Sequence, residues 1–189
     1  FELKKFADNK KIKIFLRNSN KRDLCKSVLY GVGKSKNKLI LVMDCDLQHN
    51  PRYIKEMYKI ITKKNTDIVI ASRFSGKSFE GNLSFFRSLI SNLAITSINI
   101  IFGKKSYDPL SGFFICNKQI ITKYISQFYK KGYKILFDII YNGKKDLKIE
   151  HLKIYFNKRK YGNSKFNIKV VMLFIAQILH TLIVVKKIK

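Results

Sequence analysis

The sequence is poor in acidic residues, arginine, proline and cysteine, and it contains no tryptophan. Only 12 Asp and Glu stand against 39 Lys and Arg, which gives a formal net charge of +27. The three cysteines, at positions 25, 45 and 116, form no CxxC and no paired spacing. This argues against a structural zinc site and a disulfide framework, and it predicts free thiols in a reducing compartment. Residues 1–13 lack an apolar core, so no signal peptide is predicted there.

The excess of positive charge predicts an anionic partner. Nucleic acid, anionic lipid and phosphorylated substrates all satisfy that requirement. The lysines are spread along the chain and no nucleic-acid-binding motif occurs, so we expect no specific nucleic acid; a nucleic-acid-binding module is the alternative from another class. With 189 residues, 46% of them hydrophobic, the chain is long enough for one domain with a real core.

The apolar pattern alternates between strands and helices, which predicts an α/β domain with a mostly parallel central sheet. Strands are predicted at residues 11–16, 39–43, 67–71, 113–116 and 147–156. Helices are predicted at residues 21–34, from Pro51 to about residue 61, and at 84–102, 118–128 and 134–142. In such folds ligands bind at the carboxyl ends of the strands, so we expect the site at that edge of the sheet.

Two of the scarce carboxylates, Asp44 and Asp46, directly follow the apolar run of residues 39–42. Carboxylates crowded together repel each other, and a divalent cation between them removes that cost. Oxygen ligands at this spacing suit Mg²⁺ or Mn²⁺ bridging to a diphosphate. The structural alternative is that Asp46 caps a helix beginning near Pro51.

Five segments, in order along the chain, carry a family resemblance. They are residues 43–51 (MDCDLQHNP), 71–74 with 87–91 (ASRF and RSLIS), 108–114 (DPLSGFF), 132–136 (GYKIL) and 159–165 (RKYGNSK). Together they resemble the dolichol-phosphate mannosyltransferase group of family 2 glycosyltransferases. The departures are Cys45 for the usual Ala, Asn50 for the usual Pro, and Asp138 where the family mostly has Glu.

The resemblance implies a GT-A type nucleotide-diphospho-sugar transferase fold, with residues 1–165 as a partial catalytic domain. The family's opening strands have no counterpart here, so the resemblance implies an N-terminally truncated chain that lacks part of the donor pocket. The implied reaction is inverting transfer of mannose or glucose from a GDP- or UDP-sugar to a polyprenyl or dolichyl phosphate. A divalent metal, Mg²⁺ or Mn²⁺, is the implied cofactor.

The resemblance also implies roles for individual residues. Asp44 and Asp46 would hold the metal, and Gln48 would lie near the donor phosphates or sugar. Arg73, Arg87 and Arg159 would bind the acceptor phosphate, since arginine makes bidentate phosphate contacts that lysine cannot. Asp108, Ser111 and Gly112 would bind the sugar or shape their loop, and Ser164 and Lys165 are weaker substrate-binding candidates. For each arginine, an ordinary surface or ion-pair role is the alternative.

The C-terminal segment, residues 166–189, contains an apolar stretch at 170–185 flanked by lysines. This pattern predicts a helix at the cytoplasmic face of a membrane that carries anionic lipids. A buried core helix is an equal alternative, and a longer chain could begin a membrane span here.

Two further functions stay open. A family 2 enzyme with a sugar hydroxyl as acceptor would need a carboxylate base, for which Asp108 and Asp138 are the candidates. The implied truncation also allows a non-catalytic remnant.

Overall fold

A computed structural model describes residues 10–18, 23–46, 48–75, 78–79, 85–155, 157 and 168–188. The helices are α1 (Leu24–Lys34), α2 (Ile54–Lys63), α3 (Phe85–Phe102), α4 (Lys118–Tyr124), α5 (Ile135–Tyr141) and α6 (Ile168–Ile188). The strands are β1 (Leu39–Val42), β2 (Ile68–Ser72), β3 (Phe74–Ser75), β4 (Ser78–Phe79), β5 (Phe114–Asn117) and β6 (Ile149–Lys153). The predicted α/β class is confirmed.

The central sheet has four strands in the order β1-β5-β2-β6, and β3 and β4 form a separate hairpin. β5 is antiparallel to both β1 and β2, whereas β2 and β6 are parallel. β1, β2 and β6 therefore share one direction, but two of the three strand pairings are antiparallel, so the sheet is mixed and not mostly parallel as predicted. β1 and β2 do not pair, because β5 lies between them.

The strand predicted at residues 11–16 is wrong, because residues 12–18 form neither strand nor helix. The prediction rested on alternation of lysine and apolar residues. Phe15 and Leu16 are 48% and 77% exposed, so this segment buries no continuous apolar face that would hold it in a sheet.

Helix α1 begins three residues later than its predicted start, and Asp23 accounts for the difference. Its Oδ1 accepts a hydrogen bond from the backbone N–H of Lys26 at 2.9 Å, the geometry of an N-cap. Its Oδ2 accepts another from the N–H of Gly132 at 3.1 Å. One carboxylate thus starts α1 and ties it to the loop before α5.

Helices cover both faces of the sheet, and β2 is buried throughout. Val69 and Ala71 of β2 pack with Met57 and Ile61 of α2 on one face. Ile68 and Ile70 belong to the larger cluster on the other face, which includes residues of α1, α3, α4 and α5. Because β2 is packed on both faces, its carboxyl end, which Arg73 follows, is held in a fixed position.

Helix α5 is completely buried, and α3 and α6 both pack against it. The ring of Phe137 makes edge-to-face contacts with Phe102 of α3 and Phe174 of α6, at centroid distances of 5.8 and 5.5 Å. The apolar C-terminal segment is therefore one helix, α6, that docks on the rest of the domain.

Candidate active site

Three of the loops that carry predicted residues meet at one edge of the sheet, those of Asp44, Arg73 and residues 108–113. β1 and β2 run in the same direction, so Asp44 and Arg73 both follow carboxyl ends at this edge. β5 runs the opposite way, and the loop that precedes it, residues 108–113, therefore reaches the same edge. In a purely parallel sheet, the loop before β5 would lie at the opposite edge. Because β5 is antiparallel, this loop joins the loops after β1 and β2.

Gly112 is in close contact with the carboxylate of Asp44. A Cβ atom built on Gly112 would lie 2.6 Å from Asp44 Oδ2 and 3.2 Å from its Cγ. Real side chains do not approach that closely, so any other residue at 112 would displace the carboxylate. The glycine is required here for space, and it fixes the distance between the two loops.

The carboxylate of Asp46 organises its own loop. Its Oδ1 accepts a hydrogen bond from the backbone N–H of Gln48 at 3.1 Å. The short 3-10 helix at Pro51–Tyr53 is instead capped by Asn50, whose Oδ1 accepts from the N–H of Arg52 at 3.0 Å. The alternative role of Asp46, as the cap of a helix starting near Pro51, is therefore not observed.

Gln48 is 5% exposed and anchors this loop to the chain beyond β6. Its side-chain Nε2 donates to the carbonyl of Asn157 at 3.4 Å, and the N–H of Asn157 donates to the carbonyl of Gln48 at 3.1 Å. These contacts position the loop that carries Asp44 and Asp46. They leave the predicted substrate role of Gln48 as a prediction.

The donor set suits a divalent cation that is shared with a substrate. Among the described residues, no group of three or more His, Cys, Asp and Glu gathers to enclose a metal. Mg²⁺ is commonly bound by one or two carboxylates together with substrate phosphates and water. Asp44, whose carboxylate lies against Gly112, together with Asp46 fits that pattern.

Arg73 and Asp108 form a buried ion pair with two parallel hydrogen bonds. The distances are 3.0 Å from Nε to Oδ2 and 3.0 Å from Nη2 to Oδ1, with side-chain exposures of 14% and 0%. Burial alone would lower the pKa of Arg73, but Asp108, and to a smaller extent Asp44, raise it. The guanidinium is thus a permanent positive charge within electrostatic range of Asp44.

Ser111 fixes the loop of residues 108–113 to the end of β2. Its hydroxyl donates to the carbonyl of Ala71 at 3.0 Å and accepts from the N–H of Phe113 at 3.2 Å. The residue is 4% exposed. Of its two predicted roles, these contacts support the shaping of the loop.

Lys134 also belongs to the site, although it is not among the residues predicted from the sequence. Its Nζ donates to the carbonyl of Leu110 at 3.4 Å. Burial, assisted by Arg73, lowers the pKa of Lys134 to about 8, whereas Asp108 and Asp44 oppose this decrease. Lys134 lies in segment 132–136, which carries part of the family resemblance. That position was the available signal, but the chain has 33 lysines and nothing else in the sequence distinguishes this one.

His49 is a packing residue in the loop that follows Asp44 and Asp46. It is 3% exposed, and its ring lies 5.1 Å from that of Phe113. Burial, with a contribution from Arg73, lowers its pKa to about 4. The imidazole is therefore neutral at physiological pH and adds no charge to the site.

The remaining predicted residues are placed less completely. Arg87 is in the first turn of α3, and nothing is described of its side chain. Arg159, Ser164 and Lys165 lie outside the described residues. Their roles, like those of the other predicted site residues, stay predictions.

Comparison with known proteins identifies the family and related enzymes. The model of Glycosyl transferase family 2 matches residues 2–125. The chain is 32% identical over 165 residues to a dolichol-phosphate mannosyltransferase of Pyrococcus furiosus, which covers 86% of this chain and 46% of that protein. It is 25% identical over 169 residues to the dolichol-phosphate mannosyltransferase of Mycosarcoma maydis, with 88% and 56% covered. The chain spans about half the length of the curated relatives it matches.

Solved structures support the fold independently. The glucosyl-3-phosphoglycerate synthase of Mycobacterium tuberculosis, in complex with Mn²⁺, UDP and glucosyl-3-phosphoglycerate, matches with a TM-score of 0.61 at 13% identity, covering 86% of this chain and 56% of that one. Its complex with Mg²⁺ and UDP matches with a TM-score of 0.55 at 10% identity, covering 87% and 56%. The predicted GT-A fold is confirmed. The chain therefore belongs to glycosyl transferase family 2.

Proposed function

We propose that this protein transfers a hexose from a nucleotide sugar to a polyprenyl phosphate, with inversion at the anomeric carbon and with a divalent metal. The single observation that carries the choice of acceptor is that both candidate bases, Asp108 and Asp138, are engaged in internal hydrogen bonds. The similarity to dolichol-phosphate mannosyltransferases points in the same direction.

On the donor side, Asp44 and Asp46 are the residues that would hold Mg²⁺ or Mn²⁺. When bound, the metal would neutralise the diphosphate that leaves with the nucleoside. The contact with Gly112 keeps the Asp44 carboxylate in one position, and the hydrogen bond to the Gln48 N–H does the same for Asp46. A preorganised pair of ligands avoids reorganisation at the moment of transfer.

On the acceptor side, a phosphate needs no base. A phosphate monoester has a second pKa of about 6, so it is already an anion at neutral pH. The requirement is positive charge that holds this anion close to the anionic donor. Arg73, kept charged by Asp108, supplies part of that charge, and Arg87 and Arg159 are its proposed partners.

A sugar hydroxyl, by contrast, needs a carboxylate that can take its proton. Both oxygens of Asp108 accept hydrogen bonds from Arg73. Asp138 is fully buried, its Oδ1 accepts from Asn142 Nδ2 at 2.9 Å, and its Oδ2 accepts from the N–H of Lys130 at 3.3 Å. These contacts argue against the hydroxyl-acceptor alternative.

The donor and the metal requirement can be tested in one assay. We expect labelled hexose to pass from GDP-mannose or UDP-glucose to polyprenyl phosphate when Mn²⁺ or Mg²⁺ is present. EDTA should abolish transfer and excess Mn²⁺ should restore it, because the diphosphate leaves poorly without a cation. Transfer from neither donor would contradict the proposal, as would full activity in EDTA. Preferential transfer to an oligosaccharide would support the hydroxyl-acceptor alternative.

We also propose that α3 and α6 rest on a membrane. Within the described residues, 168–186 of α6 form a helix long and apolar enough to cross a membrane, with a mean hydropathy of 2.3. Large apolar side chains are exposed along one stripe of this helix, at Ile168, Met172, Ile175, Leu179 and Ile183. Helix α3 exposes Leu89, Leu93, Ile100 and Ile101 and packs against the same ring, Phe137.

An exposed apolar stripe bordered by lysines fits the interface of an anionic bilayer. Lys169 and Lys186 border the stripe on α6, and both are exposed. The net charge of +27 favours the anionic cytoplasmic leaflet. A lipid-linked phosphate would then reach the site without leaving the membrane surface.

A double variant, Met172→Glu with Ile175→Glu, should bind vesicles of phosphatidylglycerol and phosphatidylcholine at least about tenfold more weakly, because two side chains lose apolar burial in the lipid. Co-sedimentation measures the partition. Tyr58→Glu is the matched control, since Tyr58 is 55% exposed on α2, on the opposite face of the sheet. Equal partition of the double variant and the wild type would rule out this stripe as the contact.

A further inference from the structure

Lys134 connects the proposed membrane helix to the site. Its backbone carbonyl accepts a hydrogen bond from Nε2 of Gln177 on α6 at 3.0 Å. Its Nζ donates to the carbonyl of Leu110, in the loop of residues 108–113. One residue thus contacts α6 through its main chain and the site through its side chain.

The rotation of α6 about its axis is fixed by buried polar groups. Gln177 and Thr181 are 1% and 0% exposed, although the helix is otherwise mostly apolar. Asn142 Nδ2 donates to Thr181 Oγ1 at 3.0 Å and to Asp138 Oδ1 at 2.9 Å. Thr181 Oγ1 in turn donates to the carbonyl of Gln177 at 2.9 Å. Turning α6 would break two hydrogen bonds that join it to the rest of the domain, Asn142 to Thr181 and Gln177 to Lys134, so Gln177 stays directed at Lys134.

On the other side, the loop held by Lys134 carries three groups of the site. Asp108 binds Arg73, Ser111 ties the loop to β2, and Gly112 contacts the Asp44 carboxylate. The Lys134 ammonium group is also within electrostatic range of Asp44, Asp108 and Arg73. A displacement of Lys134 would therefore alter both the shape and the charge of the site.

We propose that Lys134 is a positioning residue of the transfer site, which holds the loop of residues 108–113, adds positive charge where phosphate oxygens bind, and is itself placed by Gln177 of α6. This inference rests on the proposed function. It assigns to the site a cation that neither the carboxylate pair nor the three arginines include. It also links α6, the helix proposed to contact the membrane, to the loop of residues 108–113, in which Gly112 contacts the carboxylate of Asp44.

The charge of Lys134 has opposite consequences for two ligands. A cation near Asp44 repels a bare divalent metal, but it attracts the oxygens of a phosphate. Its removal should therefore strengthen the binding of Mn²⁺ alone and weaken the binding of phosphate ligands. A purely structural role predicts that both would weaken together. The direction of the two changes thus separates charge from packing.

The test compares Lys134→Met and Lys134→Arg with the control Lys59→Met, an exposed lysine on α2. Electron paramagnetic resonance measures the binding of Mn²⁺ alone, and calorimetry measures binding of GDP or UDP with saturating Mn²⁺. Vesicle assays report the KM for polyprenyl phosphate. We expect Lys134→Met to bind Mn²⁺ a few-fold more tightly and at least one phosphate ligand about tenfold more weakly. Lys134→Arg should recover most phosphate binding, and the ligand that weakens identifies the phosphate concerned.

Gln177→Leu tests the connection to α6, since it removes the donor and keeps the side chain's bulk. It should change Mn²⁺ and phosphate binding in the same directions as Lys134→Met, by smaller factors. The proposal is overturned if Lys134→Met leaves every affinity unchanged, if it weakens metal and phosphate binding together, or if Gln177→Leu has no effect. A wild-type protein that binds neither Mn²⁺ nor a nucleoside diphosphate would overturn the proposed function as well.

Discussion

Asp44→Asn and Asp46→Asn are each expected to reduce metal-dependent sugar transfer by at least about a thousandfold. The amide keeps the shape of the side chain but lacks the negative charge that binds the metal. Asp44 lies against Gly112, and Asp46 accepts a hydrogen bond from the N–H of Gln48. Asparagine has the same shape and keeps an oxygen that can accept, so the change should preserve the local fold. Initial rates with saturating nucleotide sugar and polyprenyl phosphate, over a range of Mn²⁺ concentrations, measure the effect.

Asp146→Asn is the matched control for these variants. Asp146 is an exposed carboxylate in a turn, so its substitution changes the net charge equally and should leave transfer unchanged. Excess Mn²⁺ tests whether the variants have lost only affinity for the metal. If so, part of the transfer rate returns at high Mn²⁺. If both variants retain wild-type transfer at low Mn²⁺, the assignment of the metal site is wrong.

Gly112→Ala is expected to lower kcat/KM by about a hundredfold, although it adds only one methyl group. The new Cβ would lie 2.6 Å from Asp44 Oδ2, so either the carboxylate or the loop must move. Displacement of a metal ligand by about an ångström is sufficient for a loss of this size. Since Gly112 does not have a positive φ, the effect comes from space and not from backbone strain.

Gly31→Ala and Gly33→Ala are the controls for this substitution. Both glycines are in α1, and a Cβ on either would have no atom within 4 Å. Alanine there should raise stability by up to about 1 kcal/mol through helix propensity and leave transfer unaffected. Thermal unfolding and Mn²⁺ binding complete the comparison. A Gly112→Ala variant with normal Mn²⁺ affinity and normal kcat/KM would show that the close contact does not matter.

The local pattern of apolar residues was enough to predict the strand that precedes the two carboxylates and the strand that precedes Arg73. The apolar runs 39–43 and 67–71 became β1 and β2, and the acids follow the first of them. The order of the strands could not be predicted in the same way. Insertion of β5 between β1 and β2 depends on pairing across more than forty residues, for example Ile70 with Phe114, which no local pattern records.

Long-range partners also explain which features of the site could not be predicted from the sequence. The resemblance implies an acceptor-phosphate role for Arg73 and a sugar-binding or loop-shaping role for Asp108, and it does not show that they bind each other across 35 positions. That pairing gives Asp108 a structural role, the support of an arginine, and its contact with the sugar stays a prediction. The importance of Lys134 likewise depends on the hydrogen bond from its Nζ to the carbonyl of Leu110, and the sequence alone does not distinguish it from the exposed lysines.

The proposed acceptor is an anion, activated by its own charge and not by a protein base. The direct measurement offers the protein labelled nucleotide sugar, Mn²⁺ and vesicles that contain equal amounts of polyprenyl phosphate and the corresponding polyprenol. We predict that label appears only in the phosphate-linked lipid. Comparable labelling of the polyprenol would contradict this mechanism, because that alcohol needs a base and Asp108 and Asp138 are both engaged elsewhere.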